Sequence, residues 1–313
     1  YGNKKQGDIM GTKTINYKSS VMRVGFAMLA LIGITICLQG VLGGVMNNLM
    51  PEFLEKPYGV WVLSYAPLYL IAVPIYLLII RGAANTMDKE KTKLSAKSTA
   101  KVFFISIAAL YFGNLLSILI TTAIGALKGS AVVNPIINLQ AGSGVLYNIL
   151  FGVILAPIGE ELLFRLVLFK KLGGYGDKAY ILISSTMFAL FHGNLSQLLY
   201  AFALGAIFAY IMAKTGNILY SMALHIFINA YGMVLAPLAL ENGVATAILV
   251  IAILSCAVTG LVLFIRVMRK KQLTFAPPIY DLPEYPVRAT LTSPGMAAAI
   301  LICLVLVFTA TFM

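Results

Sequence analysis

The chain has 313 residues, of which 60% are hydrophobic and 11% charged, and its mean hydropathy is +0.92. This composition excludes a water-soluble domain of ordinary type and indicates a protein whose main partner is a lipid bilayer. The net charge of +12 comes from lysines and arginines that form short clusters between apolar runs, as topology determinants do. Nucleic-acid binding is therefore excluded.

Nine apolar runs have the length and composition of membrane spans, which need about 20 residues each. They fall at 22–46, 59–80, 102–127, 145–169, 178–193, 195–213, 217–237, 243–266 and 295–313. The predicted fold class is thus an all-α polytopic membrane protein with about nine transmembrane helices. The first run is too long for a signal-peptide core, so we expect it to remain as an uncleaved span.

Basic residues are unequally divided between alternate loops. One side of the predicted bundle holds 20 of them, while the other holds Lys56 and Lys128 alone, and Arg165 lies inside a span. The positive-inside rule then predicts a multi-pass protein with a cytoplasmic N-terminus and an external C-terminus. The proline-rich stretch at 270–292 is expected to form an extended strap, without helix, over the cytosolic face.

Three segments follow from this map. Residues 1–143 would form a cytosolic lead and three spans, residues 144–237 a core of four helices, and residues 238–313 two further spans joined by the proline-rich strap. Both histidines, and the two carboxylates and the arginine that lie well inside a span, fall in the central segment.

Ionisable and strongly polar side chains inside the spans are few, and each is costly in hydrocarbon, so they mark a candidate site. The fourth span carries Glu160, Glu161 and Arg165, the fifth ends at His192, and the seventh carries His225 and Asn229. Measured at 1.5 Å per residue from the basic residue at the cytosolic edge of each span, Glu160, His192 and His225 lie about 15, 21 and 16 Å deep. Three helices thus bring polar groups to one level of a hydrocarbon core about 30 Å thick.

Helical spacing separates the roles of the acidic residues. Glu161 and Arg165 are four residues apart and share a helix face, so we expect a structural ion pair. Glu160 points about 100° away from that pair and lacks the arginine partner. It is the candidate general base.

The remaining polar residues also pair by spacing. His225 and Asn229 share a helix face and project two groups suited to stabilising an oxyanion. Phe188 precedes His192 by one turn and is expected to contact its ring. Histidine and asparagine in spans also serve as interhelical hydrogen-bond partners, and the spacing alone indicates only a buried polar site.

Three motifs occur in order: Glu-Glu-x-x-x-Arg at 160–165, Phe-x-x-x-His at 188–192 and His-x-x-x-Asn at 225–229. Together they resemble the CAAX protease and bacteriocin-processing (CPBP) family of intramembrane endopeptidases, over about residues 145–236. The resemblance implies a helical proteolytic core around a cavity that opens toward the cytosol. It implies that Glu160 and His192 activate water, while His225 and Asn229 stabilise the tetrahedral intermediate.

The resemblance also implies a hydrophobic, prenylated CAAX-like, bacteriocin or signal-peptide substrate. One alternative is a non-proteolytic immunity or regulatory scaffold of the same fold. Another is a transporter with Glu160 and the histidines as its ion site, but the sequence has no internal repeat of the kind that many transporters contain. The sequence does not indicate an oligomeric state.

The requirement for a metal is a separate question. Glu160, His192 and His225 provide one carboxylate and two imidazoles, a set found in catalytic zinc sites. No two of them lie within one helix turn, unlike the His-Glu-x-x-His arrangement. We predict a metal-independent glutamate mechanism with no required cofactor, and zinc bound by these three residues is the alternative.

Overall fold

The structure is a computed structural model that describes residues 15–313, apart from the side chains of residues 138 and 141. Within these residues the chain forms helices and connecting segments and no β-strand. The predicted all-α fold class is confirmed. Lys4, Lys5 and Lys13, which contribute to the predicted topology, lie outside the described residues.

The helices follow one another with short connections. In chain order they are α1 Tyr17–Leu49, α2 Pro51–Glu55, α3 Gly59–Ile80, α4 Ala96–Lys128, α5 Pro135–Tyr147, α6 148–172, α7 Asp177–Phe191, α8 Leu195–Thr215, α9 Leu219–Leu240, α10 Gly243–Arg269, α11 Pro286–Leu291 and α12 Pro294–Phe312. Helix α6 contains π-helical turns at Asn148–Leu155 and Glu161–Val167.

Seven of the helices in residues 15–313 are long and apolar enough to cross a bilayer: α1, α3, α4, α8, α9, α10 and α12. The other two predicted spans correspond to α6 and α7. Helix α6 carries the charged residues of the candidate site, and α7 has 15 residues, fewer than the roughly 20 of a typical span. The chain is an integral multi-pass membrane protein, and the predicted number of nine spans is not confirmed.

Close helix contacts hold the bundle around α6, α7 and α8. Helix α1 packs along α12, where Gly25 lies against the backbone of Gly295 and Met296 and leaves no space for a side chain. Helix α4 packs against α8 and α10, and Gly260 of α10 lies against the carbonyl of Phe104. These contacts enclose α7 and α8, which pack against each other.

The proline-rich strap is extended in its first part, but the expectation that it lacks helix is wrong at Pro286–Leu291, which forms α11. Pro286 occupies the first turn, where a backbone N–H has no helical partner and proline is tolerated. The extended part is fixed to the turn before α7. Ile279 N–H donates to the Gly174 carbonyl, and Ala276 N–H donates to the Asp177 carboxylate, both at 2.8 Å.

Candidate active site

Helix α6 presents the two adjacent carboxylates. Pro157 and Gly159 lie in an α-helical turn, Ala156–Glu160, between the two π-helical turns, so the helix is irregular on both sides of the Pro–Gly segment. Gly159 lies against the hydroxyl of Tyr69 from α3, and a Cβ there would collide with it. The glycine therefore permits the close approach of α3 to the residue next to Glu160.

The predicted ion pair between Glu161 and Arg165 is present and completely buried. Glu161 Oε1 lies 3.2 Å from Arg165 Nη2, and both side chains have 0% exposure. The guanidinium carbon of Arg165 also lies 4.1 Å from the centre of the Phe188 ring. A cation over an aromatic face is stabilised by the ring quadrupole. Arg165 is thus compensated by one carboxylate and one ring.

His225 lies between the two carboxylates of α6. Its Nδ1 is 3.1 Å from Glu161 Oε1, and its Nε2 is 3.6 Å from Glu160 Oε2. Neither contact was predicted from the sequence, which indicated only that Glu160 lacks the arginine partner. The two residues of each contact are more than 60 positions apart, and no local spacing signals the pairing.

His192 lies at the C-terminal end of α7. Its Nδ1 donates a hydrogen bond to the Phe188 carbonyl at 2.8 Å. Because that carbonyl only accepts, Nδ1 carries the proton, and Nε2 of the neutral ring is an acceptor. The side chain of Asn194 donates to the His192 carbonyl at 2.8 Å and caps α8 by accepting from Gln197 N–H at 3.0 Å. The ring orientation is therefore fixed by local bonds.

Phe188 brings the two histidines together. The edge of one ring meets the face of the other in both pairs, with centroid distances of 4.9 Å to His192 and 5.7 Å to His225. The predicted contact between Phe188 and His192 is present. Among the described residues, no direct hydrogen bond or ion pair joins His192 to Glu160.

Asn229 connects α9 to α6. Its amide nitrogen donates to the Gly152 carbonyl at 2.8 Å. Asn229 was expected to form a pair of free donors with His225, but one of its N–H groups is used in this bond and Nδ1 of His225 contacts Glu161. The amide has a second N–H, which is the one left for a ligand.

Two tyrosines of α3 belong to the surroundings of Glu160 and were missed in the sequence. Tyr65 and Tyr69 lie close enough to interact with the Glu160 charge. Their hydroxyls donate to the carbonyls of Phe151 and Leu155 of α6 at 3.2 and 3.4 Å. The signal available was the spacing of Trp61, Tyr65 and Tyr69, which places three aromatic residues on one helix face.

Glu160, His192 and His225 are also the side chains that the sequence offers as zinc ligands. Within residues 15–313 no group of three or more His, Cys, Asp or Glu side chains is arranged to hold a metal ion. Glu160, His192 and His225 are therefore not clustered as a ligand set in this arrangement. Metal independence of the reaction stays a prediction.

The comparisons with known proteins concern this part of the chain. Residues 142–231 match the family model for type II CAAX prenyl endopeptidase Rce1-like proteins, and this segment contains every site residue predicted from the sequence. The chain is also 26% identical over 210 residues to the Bacillus subtilis (strain 168) protein named "Putative membrane peptidase YdiL", covering 66% of this chain and 82% of that protein. No solved structure matches.

These findings confirm the resemblance to the CAAX protease and bacteriocin-processing family. The matched segment also agrees with the one outlined by the three motifs. Together they support an intramembrane protease role for this chain.

Proposed function

We propose that the protein is an intramembrane endopeptidase that uses Glu160 and His192 to activate water against a peptide bond. The observation that carries this proposal is the position of His225, whose Nε2 lies 3.6 Å from the Glu160 carboxylate while Nδ1 contacts Glu161. A purely structural pair would need one carboxylate per cation. Here a second carboxylate is held beside an imidazole within the segment that matches an endopeptidase family.

His192 and Glu160 divide the first step between them. Because Nδ1 of His192 donates to a backbone carbonyl, Nε2 accepts a hydrogen bond from water and orients it. The water oxygen then bonds to the carbonyl carbon of the substrate, and Glu160 takes the water proton as general base. A tetrahedral oxyanion results.

His225 and Asn229 stabilise that oxyanion. Nδ1–H of His225 donates a hydrogen bond to Glu161, which orients the ring so that Nε2 is on the side of Glu160. When Nε2 is protonated it donates to the oxyanion, and Asn229 adds its second N–H. Collapse of the intermediate breaks the C–N bond, and the proton on Glu160 passes to the leaving amine, so that the carboxylate is regenerated.

Glu161, Arg165 and Phe188 are positioning residues in this scheme. The carboxylate of Glu161 and the ring of Phe188 stabilise the buried charge of Arg165. Glu161, held in place by Arg165, in turn fixes the orientation of the His225 ring. Their loss would disturb the site through His225 and His192.

The substrate we propose is a hydrophobic, lipidated CAAX-like, bacteriocin or signal peptide that reaches the site from the membrane. The unequal distribution of basic residues supports a cytoplasmic N-terminus and an external C-terminus. In this orientation, the cavity that the family resemblance implies would open toward the cytosol. We further propose that no metal is required, because the carboxylate and imidazole can carry the proton transfers themselves.

The test compares cells that lack the protein with cells that express the wild type, Glu160→Gln or the control Glu241→Gln. Glu241 is exposed between α9 and α10. Termini of membrane and secreted peptides are quantified by mass spectrometry. We expect a set of peptides to remain uncut in the null and Glu160→Gln cells and to be cleaved in the others. Cleavage must then be reproduced with purified protein in vesicles.

Three outcomes would contradict the proposal. If Glu160→Gln restored the cleavage, Glu160 would not be the base. If Glu160→Gln restored a growth or immunity phenotype while no peptide changed, the scaffold function would be favoured. A proton-coupled flux that Glu160→Gln abolished without any change in peptides would favour the transporter.

A further inference from the structure

A cavity with a volume of about 720 Å³ lies between α4, α8 and α10. This volume is in the range of about 300–1,000 Å³ that is typical of small-molecule sites. Helix α8 lines it with Ala203, Ala206, Ile207, Tyr210 and Lys214, which share one helix face. Phe208 lies on another face of α8, and its ring centroid is 5.6 Å from that of His225. The α4–α8–α10 cavity is therefore separate from the candidate active site.

The cavity is as deep as one leaflet. Measured from its two lysines, it extends from Lys101 to Phe112 on α4 and from Lys214 to Ala203 on α8. At 1.5 Å per residue, each of these stretches is about 16 Å long. The hydrocarbon core of a bilayer is about 30 Å thick, so the cavity spans about half of it. Its lining at that depth is apolar.

The polar lining residues lie together at one end of the cavity. Ser98 and Lys101 are in the first turns of α4, Lys214 is in the last turn of α8, and Gln272 follows α10. Of the residues that the structure describes, two lysines and no acidic residue line the cavity. These chain ends place the polar mouth where the helices leave the membrane.

The two lysines differ in their partners. Lys214 Nζ lies 3.0 Å from the buried Asp177 carboxylate, so its charge is compensated. Lys101 Nζ donates to the neutral amide oxygen of Gln272 at 3.4 Å, and among residues 15–313 no carboxylate pairs with it. A positive charge without an anion thus stands at the mouth of an apolar cavity of one-leaflet depth. An anion there would reduce the cost of holding that charge near hydrocarbon.

We propose that the α4–α8–α10 cavity binds one anionic phospholipid, with its phosphate at Lys101 and an acyl chain among Ala203, Ala206 and Phe112. Basic pockets between transmembrane helices bind anionic headgroups through this combination of charge and apolar depth. The lipid would pack against α8, the helix that carries Phe208 beneath His225. The binding site does not depend on the proposed peptidase function.

The test is native mass spectrometry of the purified full-length protein titrated with dioleoylphosphatidylglycerol or dioleoylphosphatidylcholine. We expect one phosphatidylglycerol to bind in preference to phosphatidylcholine. Lys101→Gln should weaken the binding of phosphatidylglycerol about fivefold, as expected for one lysine near an anionic headgroup. The binding of phosphatidylcholine should not change. Ala206→Phe should remove the bound lipid by filling the cavity.

Matched controls come from the same parts of the chain. Lys93→Gln changes an exposed lysine of the loop before α4, and Ala252→Phe changes an exposed position of α10, and neither residue lines the cavity. Both should bind phosphatidylglycerol as the wild type does. Glu160→Gln should also bind it normally, so that loss of catalysis and loss of lipid are distinguished.

The proposal would be overturned if both lipids bound the wild type equally, or if Lys93→Gln weakened binding as much as Lys101→Gln. It would also fail if a folded Ala206→Phe variant kept the lipid. Displacement of the lipid by inorganic phosphate at equal concentration would show that the apolar cavity is not involved. Equal binding of a neutral farnesylated peptide to the wild type and Lys101→Gln, with displacement of the lipid, would assign the cavity to a substrate chain instead.

Discussion

Nδ1 of His225 lies 3.1 Å from Oε1 of Glu161. The same carboxylate oxygen lies 3.2 Å from Nη2 of Arg165. Glu161 therefore has two duties, since it compensates a buried guanidinium and orients an imidazole of the candidate site. Its neighbour Glu160 faces the other nitrogen of that imidazole. The two adjacent carboxylates are expected to respond differently to the same substitution.

Glu161→Gln should reduce the free energy of unfolding by about 3–5 kcal/mol, because it leaves Arg165 charged and buried without a carboxylate. The apparent unfolding temperature of the detergent-solubilised protein measures this. The double variant Glu161→Gln/Arg165→Gln should recover part of the loss, because the unpaired charge is removed. If the single variant were as stable as the wild type, the ion pair would have no structural role.

Glu160→Gln should unfold at nearly the wild-type temperature, since Glu160 has no buried ion pair with an arginine. Its cleavage rate should fall by at least about 100-fold, the lower end of the contribution of general acid–base catalysis. The measurement is single-turnover cleavage of an identified substrate in vesicles. Retention of more than a tenth of the wild-type rate would contradict the assignment of Glu160 as base.

Removal of metal should not reduce cleavage, because proton transfer is assigned to Glu160 and the orientation of water to His192. The check is the rate of protein shown to be metal-free by elemental analysis, before and after one equivalent of zinc is added. We expect the metal-free protein to be fully active, and added zinc should not raise its rate. Activity that vanished on chelation and returned with stoichiometric zinc would recast Glu160, His192 and His225 as ligands.

The topology predicts which introduced cysteines react with an impermeant thiol reagent added to intact cells. The background is a chain in which Cys37, Cys256 and Cys303, none of which forms a disulfide, are replaced by serine or alanine. A cysteine at Lys270 should be protected and one at Glu241 labelled. The reverse pattern would invert the whole map, and labelling at both positions would indicate that α10 does not cross the membrane.

Local spacing explains how much of the site could be predicted from sequence. The pairs Glu161–Arg165 and Phe188–His192 lie one turn apart in their helices, and the structure has both contacts. The contact of His225 with Glu161 depends on how α6 and α9 are rotated about their axes and offset in height. That relationship is set by packing of whole helices, and a single sequence contains no local signal for it.

The same distinction applies to the fold. Long apolar runs predict α1, α4 and α10 well, because twenty or more apolar residues have few alternatives to a helix in a bilayer. The helix at Pro286–Leu291 escaped prediction, because proline was read as a helix breaker although its first-turn position permits a helix to begin. Helix α7 has only 15 residues, and its packing against neighbouring helices, chiefly α8, stabilises it.

Gly159 lies against Tyr69, although only one of the two residues belongs to the segment that matches the family model. The glycine lies within the segment 142–231 that matches the endopeptidase family, whereas the tyrosine belongs to α3, which the match does not include. One side of the surroundings of Glu160 is therefore contributed by a helix outside the matched segment. A graft of the matched segment alone into another protein would leave out Tyr69, and with it the neighbour for which Gly159 makes room.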